Sequence, residues 1–171
     1  MPWPPTIWSN RLLTAAEDAP LGRPRPGLRR LMRLSWRDRL LVAKLALLLA
    51  VAELGIRAFP LPAVARRFGV PVSTVPTAPM TGDPWARLSA AERHRLAMLE
   101  RVAARWPFAP GPCLRESLVQ GRLLRRRRPV LRIGVGSGTT GIVGHAWIEV
   151  EGHALGDAGG FLAFEAAADR P

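Results

Sequence analysis

The chain is poor in sulfur nucleophiles. Cys113 is the single cysteine among 171 residues, so no internal disulfide can form and nothing calls for an oxidising compartment. One cysteine with three scattered histidines, His94, His145 and His153, lacks the ligand spacing of a zinc site, and no cofactor is implied. Lysine is almost missing: Lys44 stands alone, and arginine carries the rest of a formal charge of +12. Such a bias follows from base composition as readily as from nucleic-acid binding, so no specific nucleic-acid partner is expected. It still makes the surface attractive to an acidic peptide or an anionic membrane. The opening MPWPPTIWSNRLL has neither a basic n-region nor an apolar h-region, which reads as no secretory signal and a cytoplasmic protein. Long apolar runs are missing as well. The longest in the most hydrophobic segment, Leu45 to Ala52, is eight residues, against the about 20 that a membrane span needs.

What is present divides into three stretches. Residues 1–27 carry Pro2, Pro4, Pro5, Pro20, Pro24 and Pro26 without a sustained period, and read as a disordered extension. Residues 28–105 read as a helical lobe. Ser35 and Asp38 have capping-box spacing ahead of RDRLLVAKLALLLAVAELGIRAF, a helix over residues 37–59 that is apolar on nearly every face. It reads as a buried core helix, with weak association at a membrane surface as the competing reading. Pro60 and Pro62 end it. PAVARRFG makes a short helix closed by Gly69, and the prolines of Val70 to Pro84 mark a loop that would serve as a hinge. Ser89 and Glu92 cap a further helix, with Leu96, Leu99, Ala103 and Trp106 at helical spacing.

Residues 106–171 carry the chemistry. Cys113 opens a helix after a proline-rich elbow, and Leu114, Leu118 and Leu124 continue its face. Ser117, one turn on, is expected to pack or to bond backbone rather than react. Arg125 to Arg128 read as a solvated helix end, with a patch for acidic peptide as the alternative. Pro129 to Val135 and Ala146 to Val150 read as strands, Gly136 to Gly144 as a long flexible connection, and Glu151 to His153 as a turn into a short strand that delivers Asp157. Helices followed by a hairpin give an α+β fold in which the cysteine helix packs on a small antiparallel sheet.

Cysteine, histidine and aspartate thus occur in the order Cys113, His145, Asp157. A thiol at a helix N-terminus is favoured as thiolate by the dipole and the free amides, which can also donate to an oxyanion. A histidine on a neighbouring strand completes the pair, and an aspartate fixes its tautomer. Each residue also has a plainer reading: Cys113 as a small buried hydrophobe, His145 as a core histidine, Asp157 as a turn residue. His94 on a solvated helix face and His153 in a turn rank below His145, and Glu149 and Glu151 read as solvent-facing.

Cys113-Leu114 with Ser117-Leu118, then LRIGV, then HAWIEVEG with an aspartate close behind, resemble the leader peptidases, or B proteins, of lasso-peptide biosynthesis. Those belong to the transglutaminase-like cysteine proteases. The Trp-Arg-Asp-Arg start of the leucine-rich helix is similar in style. The resemblance implies a protease that removes the leader region of a ribosomally made precursor peptide, with Cys113 as nucleophile, His145 as general base and acid, and Asp157 as orienting residue. It also implies two partners, a separate leader-recognition protein and a macrolactam-forming cyclase. With 27 residues ahead of the helical region, there is no room for a fused recognition domain of roughly 80 residues. Two other classes stay open: an amidase or acyl transferase on the same fold, and a non-catalytic basic module for membrane or nucleic acid.

Overall fold

The computed structural model describes residues 34–74, 83, 85–107, 113–138, 141–156 and 161–164. Among the described residues four helices precede a four-stranded antiparallel sheet. Helix α1 is Trp36–Ala58, α2 is Leu61–Phe68, α3 is Ala90–Ala103 and α4 is Cys113–Leu123. A 3-10 turn, Arg125–Arg127, leads into β1 (Val130–Gly138), β2 (Gly141–Val150), β3 (His153–Leu155) and β4 (Phe161–Ala163). The order across the sheet is β3-β2-β1-β4.

The helix ends follow local chemistry. Ser35 Oγ accepts the Asp38 amide at 3.2 Å and donates to its carboxylate at 2.8 Å, starting α1. Pro62 lies in the first turn of α2, and Gly69 closes that helix at φ 73°, where its N–H reaches the Ala65 and Arg66 carbonyls. Ser89 and Glu92 form the full reciprocal box at the start of α3. That helix stops at Ala103, so Trp106 lies beyond it rather than on its face.

Helix α1 is two-sided, not uniformly buried. Leu45, Leu49 and Ala52 enter the core, whereas Leu47, Val51 and Leu54 are exposed. Its Glu53 is buried and pairs with Arg115 of α4 and, at 2.6 Å, with Arg57. Helix α4 is the centre of the packing, lying against β2, α3 and α2. Its Leu118 and Val119 meet a core that includes Phe68, Leu99, Leu131 and Ile148. Gly121 is required there, because a Cβ would run into Val70.

One loop is anchored to the sheet, and a second proves to be strand. The stretch after Val70 begins as a pinned segment: Val72 bridges Leu131 in parallel, with Leu131 N–H bonded to the Pro71 carbonyl at 2.9 Å and Ser73 N–H to the Leu131 carbonyl at 3.1 Å. Residues 75–82 and 84 lie outside the described residues. The Gly/Ser/Thr stretch from 136 to 144 is mostly ribbon. β1 and β2 stay in register from Val130↔Glu149 to Gly138↔Gly141. Low β-propensity hid it, and cross-strand pairing overrides that propensity. Glu151 (φ 52°) and Gly152 (φ 79°) make the tight turn into β3.

Candidate functional site

Cys113 is the first residue of α4, half-buried and unbridged. Ser117, one turn later, is buried and donates its hydroxyl to the Ala146 carbonyl of β2 at 2.9 Å. The bond is to backbone, as expected, but on the sheet rather than on its own helix. Four residues further, the position of Gly121 stands beside Ile148. Four helical residues rise about 6 Å and two strand residues about 6.7 Å, so α4 and β2 run alongside in the same sense. Cys113 lies one turn before Ser117, toward the Gly144 end of β2. Among the described residues a Cβ at Gly144 would have nothing within 4 Å, so the strand is open to them there. Beyond it, Ile142 (85% exposed) and Leu162 (77% exposed) lie on one face of the sheet, across Ser137 and Val135 respectively.

His145 is half-buried and held by rings. Its imidazole stacks with Trp147 at 6.0 Å and 16°, and meets Phe161 at 4.5 Å and 31°. The register explains how three rings fit. His145 pairs with Gly134, and Phe161 with Gly136, so no side chain of β1 stands between them. A Cβ on Gly134 would strike the Leu162 carbonyl and stand 3.0 Å from Trp147 Cη2. Strand alternation sets His145 and Trp147 on the face opposite Ala146 and Ile148. Within the described residues β3 pairs only with Ile148–Val150, so it ends two residues before Ala146, where Ser117 bonds. The Cys113 end of α4 and the His145 segment of β2 thus lie toward the same end of the helix–strand contact, but the His145 side chain is on the strand face opposite the one that α4 meets. Asp157 lies outside the described residues, directly after β3 and Gly156.

The site has a support that the sequence reading missed. Glu149, expected to face solvent, accepts Arg132 Nε at 2.9 Å and Trp147 Nε1 at 3.4 Å. Arg132 is fully buried and also donates to the Ser73 carbonyl at 3.1 Å. A chain of bonds therefore runs from the pinned segment through Arg132 and Glu149 to the indole that stacks on His145. An arginine inside the apolar run VLRIGV, with a glutamate on the paired strand, was the available signal. Buried guanidinium groups demand such partners.

The remaining charged groups divide cleanly. Glu116, three residues into α4, has its carboxyl pushed up to about 7, first by burial and then by the neighbouring Glu100. Arg127 grips Glu92 with Nε and a terminal nitrogen at 2.8 and 2.9 Å, which holds Glu92 down at about 2. Arg127 is thus structural, while Arg125, Arg126 and Arg128 are exposed. His153 sits in β3 rather than in the turn. It is buried with Nε2 lacking a hydrogen-bond partner among the described residues, and it borders Arg127, Leu88 and Val150. His94 is exposed on α3. Among the described residues no three His, Cys, Asp or Glu side chains are grouped to hold a metal.

A family model described as the transglutaminase-like superfamily (Transglut_core3) matches residues 55–168, about two thirds of the chain. No curated protein and no solved structure matches it. The chain belongs to the transglutaminase-like superfamily, whose members are generally cysteine-protease-like enzymes.

Proposed function

We propose that this member of the superfamily is a cysteine endopeptidase in which Cys113, His145 and Asp157 act together, and that its substrate is the leader region of a lasso-peptide precursor. The observation that carries the catalytic part is the Ser117–Ala146 bond, which ties the helix that begins at Cys113 to the strand that carries His145. The substrate part rests on the resemblance carried by Cys113-Leu114, Ser117-Leu118 and HAWIEVEG. The exposed arginines, within a formal charge of +12, suit an acidic peptide.

In this reading the scissile carbonyl lies at the N-terminal end of α4, against Cys113. The Cys113 thiolate attacks the carbonyl carbon at the leader–core junction, and the Cys113 amide at the helix N-terminus donates to the oxyanion. His145 gives a proton to the departing amine as the C–N bond breaks, leaving a thioester. His145 then takes a proton from water, whose oxygen attacks the thioester. The leader acid leaves and the thiolate returns. Asp157 orients the imidazole. Leader capture belongs to a separate recognition protein, and the released core passes to a macrolactam-forming cyclase.

The test combines the full chain with precursor peptide and recognition protein, followed by mass spectrometry. Wild-type protein is expected to yield leader and core whose summed mass exceeds the precursor by one water. Cys113→Ala should lower the rate by about 10³-fold or more. Cleavage by the alanine variant at the wild-type rate overturns the proposal. A product in which an amine is joined to the acyl group identifies an acyl transferase on the same fold instead.

A further inference from the structure

The face of α1 turned away from the core is apolar and has no partner among the described residues. From residue 43 to the helix end, the exposed positions are Ala43, Lys44, Leu47, Val51, Leu54, Arg57 and Ala58. Ala43, Leu47, Val51, Leu54 and Ala58 recur at four, four, three and four residues, which is one stripe along a helix. Leu47, Val51 and Leu54 are 63%, 47% and 66% exposed. At 100° per residue, Lys44 falls on one margin of the stripe and Arg57 on the other. No exposed position in this stretch is acidic. Its one acid, Glu53, is buried and shared between Arg115 and Arg57, so the cluster stays net positive. Just past the helix, exposed Phe59 carries the Arg67 guanidinium 5.7 Å from its ring centroid, and Arg66 beside it is exposed.

We propose that this face of α1 docks flat on an anionic lipid surface. The leucines and valine enter the acyl boundary, while Lys44, Arg66 and Arg67 pair with headgroup phosphates. Charge complementarity selects this occupant. A protein groove for such a stripe needs acids placed to match both basic margins, whereas an anionic bilayer presents negative charge on every side of an inserted stripe. No helix among the described residues is long and apolar enough to cross a membrane, so the association is along the surface.

The experiment is co-sedimentation of the full chain with vesicles of phosphatidylcholine alone, or of phosphatidylcholine mixed with phosphatidylglycerol. Binding is expected only to the mixed vesicles. A Leu47→Gln, Val51→Thr, Leu54→Gln variant should bind about tenfold more weakly. A Lys44→Gln, Arg66→Gln, Arg67→Gln variant should bind more weakly and with a shallower salt dependence. Circular dichroism shows that each variant is folded, and these three leucine and valine sites are exposed, so folding is expected to survive. Undiminished binding by the first variant would mean that bulk charge alone attracts the protein, and overturns the proposal. So does failure of wild type to bind mixed vesicles, and a concentration-dependent dimer abolished by the same changes would then assign the stripe to a second copy.

Discussion

At the scale of single residues, Glu116 has the clearest measurable consequence. Its carboxyl titrates near 7 in the folded chain, against an ordinary value of 4.5, because burial and Glu100 disfavour its charge. The folded state therefore holds a proton that the unfolded state has lost between those values. This costs no stability below about 4.5, and the cost grows until it is complete above about 7. Glu116→Gln is expected to raise stability at pH 8 by on the order of 2 kcal/mol, with the gain vanishing toward pH 4. Urea midpoints across that range test it, and a gain independent of pH would refute it. Nothing in the sequence flags Glu116, since a glutamate in the first turn of a helix reads as a favourable dipole partner. Its neighbours were legible: Cys113 at a helix start and Ser117 held on backbone follow from position and residue type. Arg132 and Glu149 were not legible, because pairing across strands decides which way each one points.

Elements show the same division. Ser35/Asp38, Ser89/Glu92 and Gly69 announce helix ends through bonds spanning three or four residues, and the structure makes each of them. The ribbon through Gly136 and Gly144 depends on pairing across a turn rather than on its own residues, and β4 on a strand 25 to 29 residues back; three residues of Phe-Leu-Ala carry too little pattern to declare a strand. Helix α1 was legible as a helix, yet its working face was not, because leucines all round do not say which side is covered. The close approach of β4 gives a prediction at this scale. Gly134→Ala places a methyl against the Leu162 carbonyl and the Trp147 ring, so β4 must shift. A loss of about 1–3 kcal/mol is expected. A changed fluorescence of Trp147 should accompany it, read in a variant whose other tryptophans are phenylalanine. Unchanged stability and emission would place β4 elsewhere.

For the whole molecule, the tie between the first helix and the cysteine helix is ionic and buried. Glu53 holds Arg115 across the core boundary, and both side chains are almost fully removed from water. Glu53→Ala takes a buried charged partner from Arg115, so a loss of about 1–3 kcal/mol is expected in guanidinium unfolding. Replacing both, as Glu53→Leu with Arg115→Met, should cost far less. A double variant as unstable as the single one would show that packing, not charge, dominates there. The family match begins at residue 55, two residues after Glu53, so this tie is anchored just outside the matched stretch.

The side-by-side course of α4 and β2 also limits how this chain can change length. Four helical residues and two strand residues each restore both the direction and the height of the next side chain. An insertion in one element keeps Ser117 on the Ala146 carbonyl and Gly121 beside Ile148 only when the other lengthens in the matching ratio, four to two. Single-residue gains or losses between Ser117 and Gly121, or between Ala146 and Ile148, turn one partner away. Insertions are therefore expected to be tolerated only in the joints outside those two spans.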